Sequence, residues 1–158
     1  MSKAGLGQLI CAVVLVAFIG FSFFGKSDTL KSADEIGSAV AERINTEGLV
    51  PFDEERLLSR LGFDAEGIDS FYYYGSEDVM DVREVLIIKS SEDTELEHYK
   101  ELISGKAEEK YNTYKDYDPV ASALLEKRII QISRGAIIYI VHDEATEALS
   151  AFLSCVEE

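Results

Sequence analysis

Cysteine occurs only at positions 11 and 155, and histidine only at 98 and 142. Two cysteines so placed give no disulfide framework, and no Cys-x-x-Cys pair is present for zinc or redox exchange. Basic residues are scarce. Fifteen Lys and Arg stand against 30 Asp and Glu, for a net charge of −15. Every acid lies at or after Asp28, where only thirteen bases accompany the 30 acids, so that part carries −17. Such a field repels polyphosphate, which argues against nucleic acid as a partner, and it repels an anionic lipid surface. Its simplest role is to keep the domain in solution. The chain has no G-x-S-x-G, Walker A, G-x-G-x-x-G or H-E-x-x-H pattern. It has no internal repeat and no low-complexity stretch. These absences lead to an expectation of no catalytic residue, no metal and no cofactor.

What is present begins with an uncharged stretch, Ala4 to Gly25, almost wholly apolar from Leu9 to Phe24. Roughly 20 apolar residues span a hydrocarbon core of about 30 Å as a helix. Phe23 and Phe24 stand where a signal peptidase needs small residues, and Cys11 stands at the start of the run rather than at its end. A retained anchor is therefore expected over a cleaved signal or a lipoprotein. The expected organisation is a transmembrane helix over 1–25, a short tether over 26–31 and an acidic domain over 32–158. This organisation makes a single-pass membrane protein, and the very short N-terminal flank and the acidic domain favour a C-terminal domain outside the cell. Its partners would be the membrane, through the N-terminal helix, and an envelope protein of unknown identity.

The acidic part alternates helical and strand patterns. Ser32-Ala33-Asp34-Glu35 is a capping box, and Ile36, Val40 and Ile44 come after it at helical spacing. Asp53 caps a second helix with Leu57, Leu58 and Leu61 on its apolar face, and Gly62 stops it. Ile68 to Tyr74 and Val82 to Lys89 read as two strands of a hairpin with a loose acidic loop. A long helix starts within Ser91 to Thr94, with Leu96, Tyr99, Ile103, Ala107, Tyr111 and Tyr114 on one face. Asp118-Pro119 opens a short helix. Ile129 to Ile132 and Ala136 to Val141 form a tight hairpin around Ser133-Arg134-Gly135. Asp143 then caps a final helix. The expected fold is α+β: one four-stranded antiparallel sheet from two hairpins, with helices packed mainly on one face.

Three features carry a resemblance. They are the strand Arg83-Glu84-Val85-Leu86-Ile87-Ile88-Lys89, the long helix ending Tyr114-Lys115-Asp116-Tyr117-Asp118-Pro119, and Gly135 opening an apolar strand with Tyr139. From about Ala33 to Phe152 the chain resembles the domain-of-unknown-function family 4358, small extracytoplasmic proteins of Gram-positive bacteria. The resemblance implies a domain outside the membrane and supplies no activity. The chain departs from that family's pattern in lacking a lipobox and in having Arg83 where an acid is common.

Several constellations invite chemistry. His142-Asp143-Glu144 reads as a strand end and helix cap rather than a metal cluster, because adjacent residues do not converge on one ion. Asp64, Glu66 and Asp69, and separately Glu77, Asp78 and Asp81, read as solvated loops without the ligand spacing of an EF-hand. Phe71-Tyr72-Tyr73-Tyr74 sets two aromatics on each face of a strand, one face for the core and the other packed or open as a platform. Glu84, an acid inside an apolar strand, calls for a cationic partner such as Arg83 or Arg128. The candidate binding surface is Glu84, Tyr72, Tyr74 and Tyr117. The function expected is a non-enzymatic binding or scaffolding domain at the cell envelope, with an envelope enzyme using an acidic residue as general acid/base as the alternative.

Overall fold

A computed structural model describes residues 31–157. The chain runs α1 (Ala33–Ala41), β1 (Leu49–Pro51), α2 (Glu54–Leu61), β2 (Ser70–Ser76), β3 (Glu84–Lys89), α3 (Asp93–Tyr114), α4 (Pro119–Glu126), β4 (Ile129–Ser133), β5 (Ala136–Val141) and α5 (Ala145–Glu157). The strands form one antiparallel sheet in the order β1-β2-β3-β5-β4.

Local chemistry explains most boundaries. Ser32 accepts from the Glu35 N–H while Glu35 Oε2 accepts from the Ser32 N–H, so the capping box closes as expected. Asp53 caps α2, and Gly62 ends it at φ 80°, a left-handed conformation that suits glycine. Asp118 accepts from the N–H groups of Val120 and Ala121 and starts α4 at Pro119. Arg134 and Gly135 both have positive φ, 43° and 73°, which is the two-residue hairpin turn that matches strand twist. The turn before α5 is fixed differently from the expected Asp143 cap. There the Glu144 N–H donates to His142 Nδ1 at 3.0 Å.

The fold is α+β, but the expected architecture needs three corrections. First, the sheet has five strands. The extra strand β1 is three residues long and ends in Pro51, too short for a periodicity signal. It pairs with the far end of β2, which extends to Ser76. Second, helices cover both faces. The buried residues Leu57, Leu61, Leu96, Tyr99, Ile103, Ala121 and Leu125 bring α2, α3 and α4 onto the face formed by Tyr73, Leu86, Ile88, Ile137 and Tyr139. Ile36, Val40, Ala148 and Phe152 bring α1 and α5 onto the opposite face, formed by Val85, Ile87, Ile138 and Ile140. Strands buried on both faces are why β5, and β3 from Val85 to Ile88, are continuously apolar rather than alternating.

Third, no helix among the described residues is long and apolar enough to cross a membrane. The longest, α3, carries charge along its whole length. The span expected over 1–25 lies outside the described residues. Among the described residues, the single-pass signal-anchor reading, the membrane as partner and the extracytoplasmic placement therefore find no helix to rest on. A smaller correction concerns Leu58, which is 51% exposed, so Leu57 and Leu61 alone bury that face of α2.

Candidate functional site

Strand alternation puts Glu84 of β3, Tyr73 of β2 and Tyr139 of β5 on the same face of the sheet, beneath α3. Glu84 is 2% exposed. The Tyr73 hydroxyl donates to its Oε2 at 2.7 Å, and the Tyr139 hydroxyl to its Oε1 at 2.8 Å. Lys110, reaching down from α3, donates to the same Oε1 at 2.8 Å and to the Val82 carbonyl at 3.4 Å. Both carboxylate oxygens are thus occupied, which meets the condition for burying a charge. The sequence expectation of a salt bridge is met, but by a different cation. Arg83 instead clasps Asp81, and Arg128 pairs with Glu108. Lys110 lies 26 positions away, with no spacing rule to point to it.

The electrostatics derive from this burial. Desolvation, and then the Glu84 carboxylate, push the phenols of Tyr73 and Tyr139 well above their ordinary value, because a second anion there would be unsolvated and repelled. Asp81 is held below the usual carboxylate range by its hydrogen bonds from Arg83.

A pocket of about 340 Å³ opens above this network. Its floor is Glu84, Lys110 and Tyr139; its walls are Arg60 and Leu61 of α2, Lys106, Glu109, Thr113 and Tyr114 of α3, and Asp78, Val79 and Asp81 of the β2–β3 loop. The Tyr114 hydroxyl donates to the Val79 carbonyl and ties that loop to α3. Arg60 lies over the Phe52 ring at 4.5 Å and donates to the Ser76 carbonyl at 2.8 Å, which fixes its guanidinium in place. The walls therefore present both signs of charge, with Leu61 and Val79 between them, above a polar floor. Among the described residues, no group of three acids, histidines or cysteines is arranged to hold a metal ion.

The four residues expected to form a binding surface are not brought together. Glu84 is on the α3 face. Tyr72 and Tyr74 are on the other face, stacked on each other at 4.6 Å and half-buried. An added Cβ on Gly37 would lie 2.1 Å from the Tyr72 ring, so α1 packs directly on that side chain and leaves no open platform there. Burial pushes the Tyr72 phenol up to about 12, with Tyr74 beside it adding to the effect. Tyr117 is 57% exposed in the α3–α4 turn, 5.3 Å from Tyr114. Of the histidines, His98 is exposed, while His142 is buried and its Nε2 meets the Asn45 carbonyl at 2.8 Å. With Nδ1 accepting from Glu144, Nε2 must be the donor, and His142 joins the α1–β1 connection to the end of β5.

The family model described as "Domain of unknown function (DUF4358)" matches residues 29–142. The chain belongs to that family. The DUF4358 match includes every residue of the Glu84 network and pocket, and stops at His142, before α5. No curated protein matches the chain, and no solved structure does.

Proposed function

We propose that this DUF4358 domain is a non-enzymatic binding module whose ligand site is the pocket over Glu84. The observation that supports this is a buried, fully satisfied carboxylate–ammonium–phenol floor beneath an open pocket walled by charges of both signs. A volume of about 340 Å³ is at the small end for ligand sites, the size of a single metabolite. Walls carrying Arg60 and Lys106 as well as Asp78 and Glu109 suit a small zwitterion, with an anionic and a cationic group a few ångströms apart.

The alternative expectation, an acid acting as general acid/base, fits the geometry less well. Glu84 is the one deeply buried acid of the pocket, and both its oxygens already accept hydrogen bonds. The Thr113 hydroxyl, the aliphatic hydroxyl lining the pocket, donates to the Glu109 carbonyl within its own helix. Neither group is poised to take a proton from, or attack, a bound molecule.

Thermal denaturation of the full-length protein with free amino acids and dipeptides tests the proposal. Acetate and ethylammonium serve as single-charge controls. A ligand at 100 times its Kd stabilises by about 2.7 kcal/mol. At least one zwitterion should raise Tm saturably, and the rise should shrink in Asp78→Asn. Absence of any zwitterion effect, or an equal effect of the single-charge ions, would overturn the proposal.

A further inference from the structure

The two edges of the sheet are unlike. β1 is three residues long, contains Pro51, and is flanked by Glu47 and by Asp53, Glu54 and Glu55. Short length, proline and like charge are devices that keep an edge from pairing. β4 is longer and is flanked by charge of the opposite sign. Ile129-Ile130-Gln131-Ile132-Ser133 has no proline and no charge, and all five residues are half-buried. Its flanks are basic: Lys127 and Arg128 before it, Arg134 after it. Lys127 to His142 is the longest stretch of the described residues without an acid, in a chain of net charge −15.

Register fixes which backbone groups of β4 are free. The two-residue turn makes Ser133 and Ala136 the closing hydrogen-bonded pair. Hydrogen-bonded pairs alternate along an antiparallel ladder, so Gln131–Ile138 and Ile129–Ile140 also exchange both bonds. The Ser90 N–H donating to the Gly135 carbonyl at 3.2 Å, on the other side of β5, is in phase with this assignment. The N–H and C=O of Ile130 and Ile132 therefore point away from the sheet, roughly 6–7 Å apart along the strand.

We infer that the β4 edge takes an added strand from a protein partner, an extended segment with alternating apolar residues and acidic flanks. The backbone groups of Ile130 and Ile132 supply the pairing, and Lys127 and Arg134 select the charge. A second copy of this chain is the less complementary occupant. Antiparallel pairing of two β4 strands over their full length would set Arg128 opposite Arg134 of the other copy.

The test uses the full-length protein and three synthetic peptides. One is a valine–threonine strand with two glutamates at each end, the second carries lysines instead, and the third has the glutamates and a central proline. The readout is amide hydrogen exchange resolved by residue. The glutamate peptide should slow exchange at Ile130 and Ile132 and leave Gln131, already bonded within the sheet, unchanged. The lysine and proline peptides should slow exchange at neither residue. Lys127→Glu with Arg134→Asp should weaken binding about tenfold or more. Ile132→Pro, which removes an outward donor along with a half-buried side chain, should abolish it, whereas Ile132→Val, which keeps the donor and most of the packing, should bind like the natural protein. Equal protection by the lysine peptide, no protection by any peptide, or protection that rises with protein concentration alone would each overturn the inference, the last in favour of self-pairing.

Discussion

Under α3 the sheet buries a carboxylate, an ammonium and two phenols together; under α1 and α5 the same strands present Val85, Ile87, Ile138 and Ile140 to helices that answer with Ile36, Val40, Ala148 and Phe152. One face is held by directed hydrogen bonds, which are expensive to leave unmade, and the other by close packing, which is expensive to overfill or hollow out. The difference locates the pocket. A polar floor tolerates an opening beside it, because the Lys110 ammonium keeps contact with water at 25% side-chain exposure while its partner stays dry at 3%. On the opposite face α1 closes onto the Tyr72 ring with a glycine.

The sharpest way to break the polar face is Glu84→Leu. It strands Lys110, Tyr73 and Tyr139 without their acceptor and should cost about 3–5 kcal/mol in urea denaturation. Replacing the whole set by apolar residues, with Tyr73→Phe, Tyr139→Phe and Lys110→Met added, should recover much of that loss, since no unpaired donor then remains. A cost below about 1 kcal/mol for Glu84→Leu alone would mean the network carries no structural weight.

The packed face breaks by addition instead. Gly37→Ala places a methyl 2.1 Å from the Tyr72 ring, a collision that only movement of α1 or of the ring can relieve. The expected cost is about 1–3 kcal/mol. Tyr72→Val should remove most of the Gly37→Ala penalty, because the two changes share one contact. Additive behaviour of the pair in a double-mutant cycle would show that α1 does not bear on Tyr72.

Alkali distinguishes the faces by degree. Tyr73 and Tyr139 have folded pKa values raised above the ordinary 10.0, because burial and Glu84 disfavour their anions. A raised pKa means the native state holds protons that the unfolded chain releases. The associated stability is therefore complete below about pH 10 and is lost as pH climbs past it, by roughly 1.4 kcal/mol per pH unit for each phenol. Tyr72, on the other face, adds to the loss only until its own value of about 12 is passed. Stability measured between pH 9 and 11 should fall steeply in the natural protein and less steeply in Tyr73→Phe/Tyr139→Phe. An unchanged slope in that variant would place the alkaline sensitivity elsewhere.

These contrasts also show what could be read from sequence. Helix starts were legible because capping is local: Ser32, Asp53 and Asp118 each announce a helix within three residues. The β4–β5 hairpin was legible through Arg134-Gly135. The fifth strand was not, since Leu49–Pro51 earns its place only by pairing with β2. Nor was the second helical layer, although the continuous apolar runs of β3 and β5 are its signature. Within the site, Glu84 stood out as an acid in an apolar strand. Lys110 did not, because on α3 it is one of several charges and only the tertiary fold points it inward. Tyr72 and Tyr74 were grouped with Glu84 as aromatic candidates, whereas strand alternation already separates even from odd positions of β2 once β3 is in register.

The smallest expected effect sharpens the comparison where it meets function. Lys106 and Glu109 form an ion pair at 2.7 Å on the pocket wall, with side chains 41% and 70% exposed. Exposed pairs of this kind hold long side chains in water and contribute about 0–1 kcal/mol. Lys106→Met should therefore leave the urea midpoint nearly unchanged, in contrast to loss of Lys110 from the floor, one helical turn further along α3. It removes one of the two positive charges of the walls, however, so a zwitterion bound in the pocket should bind more weakly although the fold is intact. Calorimetric titration of Lys106→Met and Asp78→Asn with the same ligand reads this directly. If both variants bind like the natural protein, the walls do not recognise the ligand, and the charge pattern of the pocket is only a solvated rim around a structural core.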